Sequence, residues 1–230
     1  VINEEVYFKE NGEIEYATII DMSNMSEFLP AEELEDMQNL KDLKHGEFVA
    51  WEDLLRSSAP DKEAKDSIET YIKDNRQSFD KLKPMKMMFD FRDKKMEVGY
   101  AIHSKSLKDF PDDLAIVNKT INELSSENSE FSKIKNLFNI IEFSFDGKKF
   151  VRNETANNWN ALMDDPDSEL QSESLLDLFE IKYKYRFDKP IKSTNMEDAT
   201  FSSDRKTMYL STDLKNVQEN PKKYNFEVQF

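Results

Sequence analysis

The hydrophobic pattern of this chain is mostly one of alternation, which is typical of strands. The longest run spans 179–188 and alternates bulky apolar residues with charged ones, Phe179, Ile181, Tyr183, Tyr185 and Phe187 against Glu180, Lys182, Lys184, Arg186 and Asp188. Successive side chains of a strand point to opposite faces, so this strand is expected to bury one face and expose the other. A second alternation, with Phe226, Val228 and Phe230 inward, predicts that the chain ends inside a sheet.

Further alternating runs come in pairs, which predicts hairpins. The turns of three such pairs lie at 11–12, an Asn-Gly pair, at 92–95, and at 146–147, an Asp-Gly pair. Asn-Gly and Asp-Gly tolerate the positive φ that tight hairpin turns require. A fourth, polar turn at 203–206 separates two short apolar runs near the C-terminus.

Between the hairpins, apolar residues recur at spacings of three and four, which predicts amphipathic helices. Helical segments are expected within 26–58 and again from Asp61, whose carboxylate can cap the helix that follows it. Another helix is expected from Pro111 to about Ser125, and a short one over 213–219.

Hairpins separated by helices, without strict strand-helix-strand alternation, predict an α+β fold. We expect a mainly antiparallel sheet of about nine strands with the helices packed on one face, because most strands carry a charge at every second residue. One domain is predicted over 1–230, with a possible division into 1–177 and 178–230. The predicted core consists of the inward residues Ile14, Tyr16, Ile20, Phe89, Phe91, Val98, Tyr100, Phe143, Phe145, Ile181, Tyr183, Tyr185, Leu210, Phe226, Val228, Ile68, Ile72, Val117, Ile121 and Leu124.

Composition indicates a folded protein with a heavily charged surface. Charged residues make up 34% of the 230 residues and hydrophobic ones 38%, yet 17 Phe, 8 Tyr and 2 Trp supply the apolar mass of a core. The net charge of -15 repels phosphate backbones, so nucleic acid is not an expected partner. No basic cluster suits an anionic membrane surface, and no apolar run is long enough for a spanning helix.

Cysteine and glycine usage removes several chemistries. The chain has no Cys, which excludes disulfides, thiolate nucleophiles and cysteine zinc sites. Its four glycines are far apart, whereas dinucleotide and phosphate loops need clustered glycines. The two histidines, His45 and His103, have no metal-ligand spacing and are interpreted as a residue at a helix end and a strand residue.

An acidic segment at 164–173 is a candidate calcium site. Asp165, Asp167 and Glu169 match the first, third and fifth positions of a calcium loop. Leu170 stands where the turn glycine belongs, and Leu176 stands where the bidentate acid belongs. A solvated acidic loop is therefore favoured over a tight site, and weak calcium contact stays as the alternative.

Exposed aromatics would indicate a sugar-binding cleft between paired acids, and Trp51 and Trp159 are the candidates. Both are interpreted as packed residues. Four methionines of the second hairpin, at 85, 87, 88 and 96, are interpreted as core filling, with a soft binding surface as the alternative.

A recognisable order of residues lies between Pro190 and Val228. It consists of Pro190, Asn195, Ala199, Phe201, Ser203-Asp204-Arg205-Lys206-Thr207, Leu210, Leu214, Asn220-Pro221 and Phe226-Glu227-Val228. This stretch resembles the end of uncharacterised cell-envelope lipoproteins of the Bacteroidetes type. Arg205 stands where those proteins have glycine in the turn. The resemblance implies export, a cleaved signal peptide and a lipidated cysteine upstream of Val1, with the folded part held at the periplasm or the outer-membrane surface.

No nucleophile, base and orienting group occur together in the sequence, so no catalytic residue and no cofactor are predicted. Our leading hypothesis is a non-enzymatic envelope protein, a tethered binding or scaffolding domain for an unknown protein partner. The alternative is a carrier or sensor of an apolar ligand held in a cavity between the sheet and the helices. An enzyme is the third hypothesis.

Overall fold

The computed structural model describes residues 1–9, 11–24, 44–57, 59, 61–92, 94–127, 140–156 and 180–230. The strands within these ranges are β1 (Ile2–Phe8), β2 (Ile14–Asp21), β3 (Val49–Ala50), β4 (Met85–Asp90), β5 (Glu97–Ser104), β6 (Ile140–Phe145), β7 (Lys149–Ala156), β8 (Glu180–Arg186), β9 (Ser193–Thr194), β10 (Thr200–Phe201), β11 (Thr207–Asp213) and β12 (Phe226–Gln229). The helices are α1 (Trp51–Ser57), α2 (Lys62–Asp74), α3 (Arg76–Lys81), α4 (Phe110–Glu127) and α5 (Leu214–Glu219), and a short 3-10 helix spans Pro221–Tyr224. The predicted α+β fold class is confirmed.

The strands form two sheets instead of one. The larger has eight strands in the order β10-β11-β8-β1-β2-β5-β4-β3, and the smaller has four in the order β6-β7-β12-β9. The recorded pairings are antiparallel, as expected, with the exception of β1 and β8, which run parallel. β12 lies between β7 and β9, so the last strand is paired on both sides as predicted.

Local turn chemistry gives the predicted hairpins. Gly12 and Gly147 adopt φ of +89° and +92°, the left-handed region in which glycine carries no steric cost. In the second hairpin Lys94 takes φ 67°, and the Lys95 N–H donates to the Arg92 carbonyl at 2.8 Å.

In the turn at 203–206, an arginine adopts a backbone conformation that glycine adopts most readily. Arg205 adopts φ 55°, and its backbone N–H donates to the Ser202 carbonyl at 2.9 Å. Its side chain donates from Nε to the Ile191 carbonyl at 2.9 Å, and the guanidinium carbon lies 4.7 Å from the centre of the Phe201 ring. These contacts offset the steric cost of the left-handed conformation.

Helix ends follow their sequence signals in part. Asp61 accepts a hydrogen bond from the Ala64 N–H at 2.8 Å and caps α2, as predicted. Asn75 separates α2 from α3. α4 runs to Glu127 and not to Ser125, because the polar residues there do not break a helix as Gly or Pro would. Of the segment predicted as helical within 26–58, residues 26–43 lie outside the described residues, and 51–57 form α1.

The chain divides into two compact units, unit 1 (Val1–Tyr16 and His103–Phe230) and unit 2 (Ala17–Ile102). In unit 2, Trp51 of α1 and Phe79 of α3 are buried, as are four methionines of the β4–β5 hairpin, Met85, Met87, Met88 and Met96. The methionines are core residues, as interpreted from the sequence. Trp51 is a packed residue, as interpreted from the sequence, because only 3% of it is accessible.

In unit 1, one face of β1, β8 and β11 packs against the smaller sheet. The rings of Phe8 and Phe187 stack at 4.7 Å, Phe8 meets Phe150 at 5.5 Å, and Tyr185 meets Phe226 edge-on at 4.9 Å between centroids. Aromatic pairs in these geometries add to the stability that burial supplies. The cover that we expected from helices is supplied here by a second sheet.

Most of the predicted core is buried. Phe145 is the wrong assignment, since 38% of it is exposed at the end of β6, beside the turn, where its ring meets that of Phe230 at 6.1 Å. Phe89, Val98 and Ile68 are half-buried, and the side chain of Leu124 lies outside the described part of the chain. The remaining predicted core residues are buried.

Candidate functional site

The face of β10, β11, β8 and β1 that points away from the smaller sheet is polar, and we call it the outer face. The register aligns Glu5 of β1 with Lys184 of β8, Lys184 with Tyr209 of β11, and Tyr209 with Thr200 of β10. A second row joins Asn3, Lys182 and Ser211. The rows arise from the alternation that made the 179–188 strand predictable. Lys182 and Lys184 are exposed as expected, and Glu180 and Arg186 are half-buried.

A shallow groove of about 390 Å³ runs along this face. We call it the outer groove; its floor and walls include Asn3, Glu5, Lys182, Lys184, Tyr209 and Ser211. It reaches the sheet edge at Asp198 and Thr200.

The groove exists because the edge strand β10 is short. β10 pairs with β11 only through Thr200 and Phe201. The chain before it turns, with the Ala199 N–H donating to the Met196 carbonyl at 3.3 Å. β11 therefore continues past Tyr209 without β10 beside it, and the space left at its edge forms one end of the groove.

Charges on the outer face are paired with one another. Lys184 Nζ lies 3.3 Å from both carboxylate oxygens of Glu5, and Lys182 Nζ lies 3.0 Å from Glu180 Oε2. The Ser211 hydroxyl donates to Glu180 Oε1 at 2.5 Å. The pKa of Glu180 is lowered mainly by the hydrogen bond from Ser211 and to a smaller extent by Lys182. The lining thus offers cations, carboxylates and hydroxyls in one place with little net charge.

Two tyrosines of the outer face are equally exposed, at 42% each. Tyr7 lies outside the groove, and the guanidinium carbon of Arg186 sits 5.7 Å from the centre of its ring. Tyr209 lies inside the groove. No hydrogen bond or ring contact joins Tyr209 to the side chain of another residue that the structure describes.

A second polar constellation is buried between the two sheets of unit 1, and we call it the buried cluster. Arg152 of β7 donates from Nε and Nη2 to the two carboxylate oxygens of Glu4, each at 2.8 Å. The Tyr185 hydroxyl also donates to Glu4 in a short hydrogen bond. The Arg152 guanidinium carbon lies 5.0 Å from the centre of the Tyr183 ring, and Nη1 donates to the Tyr224 carbonyl at 3.4 Å.

Burial and charge set the protonation of the buried cluster. Burial by itself would lower the pKa of Arg152, but the Glu4 carboxylate overcomes it and the pKa is raised well above its usual value. Burial raises the pKa of the Tyr185 hydroxyl, and Glu4 raises it further. The guanidinium is therefore fixed as a cation and the phenol as a neutral donor.

The buried cluster is suited to holding the sheets together and not to reacting with a substrate. Arg152 is 1% exposed and Glu4 4%, so solvent and ligands do not reach them. Bidentate pairing with a carboxylate fixes both the distance and the orientation of the strands that carry the two groups. We therefore place the candidate binding site at the outer groove.

Sequence reasoning missed both features, although the buried cluster leaves a signal. Glu4 occupies an inward position between Ile2 and Val6, and Arg152 shares the parity of the buried Phe150. Opposite charges at two inward positions predict a buried pair, because an isolated buried charge is too costly. The outer groove combines four strands that are distant in sequence and leaves no comparable local signal.

The structure describes only some of the candidate residues from the sequence. Asp165, Asp167 and Glu169 lie outside the described residues, as does Trp159. His103 lies on β5, with Nε2 3.9 Å from Glu13, which agrees with its interpretation as a strand residue. His45 lies in a turn and accepts a hydrogen bond at Nδ1 from the Phe91 N–H at 3.3 Å. His45 and His103 thus belong to different units.

The described residues contain no group of three or more His, Asp or Glu side chains that is placed to hold a metal ion. Among the helices in the described ranges, none has both the length and the apolar character needed to cross a bilayer. Comparisons of the chain with protein-family models, with curated protein sequences and with solved structures give no match.

Proposed function

We propose that this chain is a non-enzymatic binding domain that acts through the outer groove, and that it is held at the cell envelope. The observation that carries the binding role is the groove itself, which places charged, hydroxyl and aromatic side chains on adjacent strands. Sites on strands are positioned more rigidly than sites on loops. A volume of about 390 Å³ falls in the range of ligand sites in proteins.

Packing in unit 1 supports this surface role. The space between the sheets holds the rings of Phe150, Tyr185 and Phe226 in mutual contact, so an apolar ligand does not fit there. A carrier of an apolar ligand, with a cavity between the sheet and the helices, stays the alternative. The outer groove opens to solvent. Most of the residues that line it carry polar or charged groups, but carbon atoms make up most of the surface that they expose there, which suits a ligand with both polar groups and an apolar face.

Lysine footprinting tests the binding role even while the ligand is unidentified. The folded chain is acetylated briefly, with and without an envelope extract of the cells that produce it. We expect Lys182 and Lys184 of the groove to be protected. Lys148 and Lys192 serve as controls, because they are exposed in the same unit but do not line the groove. Protection of the controls alone, or of no lysine, contradicts the proposed function.

The envelope location is supported by the resemblance of the C-terminal residues. The product of the complete gene is expected in the membrane fraction of its cells and is expected to incorporate labelled fatty acid. Recovery in the cytoplasmic fraction without label contradicts this part of the proposal and leaves the binding role to be judged by the footprint.

A further inference from the structure

The charge balance of the outer groove points to an uncharged ligand. Lys184 is already paired with Glu5, and Lys182 with Glu180, at 3.3 and 3.0 Å. Asp198 adds one carboxylate at the edge. An anionic ligand would meet the carboxylates as well as the lysines, and a cationic ligand would have to compete with the lysines for the same carboxylates.

The hydrogen-bonding groups of the groove alternate between types. Ammonium groups only donate, carboxylates only accept, and hydroxyl and amide groups do both. Glu5, Lys184 and Thr200 lie in one row across the strands, and Asn3, Lys182 and Ser211 lie in the next. A ligand that satisfies such a lining needs many groups that both donate and accept, which is the property of a polyhydroxylated molecule.

Tyr209 supplies a flat apolar surface among these polar groups. An aromatic ring offers a broad apolar face with a polar tip. A sugar ring has the matching construction, with C–H groups on one face and hydroxyls around its edge. Tyr209 is 42% exposed, and it lies between Lys184 and Thr200 in its row, so polar groups flank the ring on both sides.

We propose that the outer groove binds a neutral oligosaccharide, with one sugar ring on the face of Tyr209 and its hydroxyls bonded to the paired charges around it. This inference rests on the proposed function of the groove as a binding site. It adds the ligand class, and no observation used for the envelope location enters it.

The experiment uses an array of neutral glycans together with hexagalacturonate as an anionic glycan, followed by calorimetric titration of the best neutral hexasaccharide into the folded chain. We expect binding to at least one neutral glycan and weaker or no binding to hexagalacturonate. Tyr209→Ala is expected to weaken that binding by about tenfold or more, and Tyr209→Phe to weaken it by less than about threefold because the ring remains.

Tyr7→Ala is the matched control. Tyr7 has the same exposure on the same face but lies outside the groove, so its removal is expected to change affinity by less than about twofold. Thermal melts of all three variants show whether each is folded. A Tyr209 variant that does not fold is replaced by Lys182→Met, which removes a donor of the second row.

The outcomes separate the two proposals. Lack of binding to every neutral glycan, tighter binding to hexagalacturonate, or equal losses for Tyr7→Ala and Tyr209→Ala each overturn the oligosaccharide inference. If the lysine footprint still shows Lys182 and Lys184 protected by the extract, the groove remains a binding site for another class of ligand. If both experiments fail, the proposed function fails with the inference.

Discussion

Glu4 and Glu5 are consecutive residues of β1, yet their carboxylates serve opposite purposes. Glu4 faces the smaller sheet, where Arg152 binds it at 2.8 Å and the two side chains are 5% and 1% exposed. Glu5 faces solvent, where Lys184 lies 3.3 Å away and both side chains are 48% exposed. Consecutive residues of a strand lie on opposite faces of the sheet. The step from Glu4 to Glu5 therefore separates a structural ion pair from an ion pair that belongs to a binding surface.

The difference lies in solvation. A buried pair is not hydrated, so each charge is stabilised mainly by the other. Removal of one partner leaves an unpaired buried charge, which destabilises the folded state by about 3–5 kcal/mol. An exposed pair stays hydrated and contributes roughly 0–1 kcal/mol. Only the exposed pair can exchange its partner for a ligand without loss of the fold, which is why the outer groove and not the buried cluster is suited to binding.

Deletion of 224–230 is expected to cause the largest loss of stability, because it removes β12 and one wall of the buried cluster. Tyr224, Phe226 and Val228 are each at most 3% exposed, and burial of such side chains stabilises by roughly 1.5–3 kcal/mol each. The sum is comparable to the whole free energy of unfolding of a domain, which is about 5–15 kcal/mol. Unit 1 is therefore expected to unfold or aggregate. Circular dichroism and size exclusion measure the outcome.

Gln229→Ala is the control for the deletion, since Gln229 belongs to β12 but points to solvent. Its stability is expected to change by less than about 0.5 kcal/mol. A truncated chain that stays monomeric and unfolds cooperatively would show that β12 is peripheral to unit 1.

Arg152→Met tests the buried half of the comparison directly. The substitution keeps much of the volume but leaves the buried Glu4 carboxylate without its cation, with the Tyr185 hydroxyl as its remaining side-chain donor. We expect a loss of about 3–5 kcal/mol in the free energy of unfolding, measured by urea titration. The double variant Glu4→Leu with Arg152→Met is expected to recover part of this loss, because no charge remains buried, although the Tyr185 hydroxyl loses its acceptor. A single-variant loss below about 1 kcal/mol would contradict the structural role of the pair.

The features that depend only on residues close together in the sequence were predicted correctly. The alternation at 179–188 places Tyr183 inside and Lys184 outside because the strand period is two. The turns at 11–12 and 146–147 follow from residues that accept positive φ. The helix cap at Asp61 needs only a carboxylate three residues before a backbone N–H.

Long-range pairing could not be predicted in the same way. β1 and β8 run parallel and align Val6 with Tyr185, although about three quarters of the chain separates them and no turn connects them directly. The second sheet likewise brings Arg152 to Glu4 across a separation of 148 residues. The outer groove depends on these pairings, so its residues were recognisable only as an exposed strand face and not as a site.

Asp90 and Arg92 in unit 2 form an ion pair whose exposure lies between that of the buried Glu4–Arg152 pair and that of the exposed Glu5–Lys184 pair. The Asp90 side chain is 3% exposed and that of Arg92 56%, with Oδ1 and Nε 2.9 Å apart. The hydrogen bond from Arg92 is the main reason that the pKa of Asp90 is lowered from 3.8 to about 2. A lowered carboxylate pKa stabilises the folded state above about pH 4, and this contribution disappears as the pH falls through about 2.

The pH test compares the parent chain with Asp90→Asn. The pKa difference corresponds to roughly 1–2 kcal/mol after allowance for the exposure of Arg92. We expect the parent to be more stable than the variant by that amount at pH 6, with the gap closing between about pH 4 and pH 2, in urea titrations at each pH. A gap that does not change with pH would mean that the Arg92 hydrogen bond does not depend on the charge of Asp90.

Glu5→Gln is expected to give the smallest effect, and its interest lies in the contrast with its neighbour. The carboxylate and its partner Lys184 are each 48% exposed, so water and salt screen their attraction. We expect the free energy of unfolding to change by less than about 0.5 kcal/mol, and the change to vanish in 1 M salt, in the same urea titrations that report a large loss for Arg152→Met. A loss above about 1.5 kcal/mol would mean that the fold depends on the outer pair. Lys184 would then not be available to a ligand, and the argument that assigns binding to the outer groove would lose its physical basis.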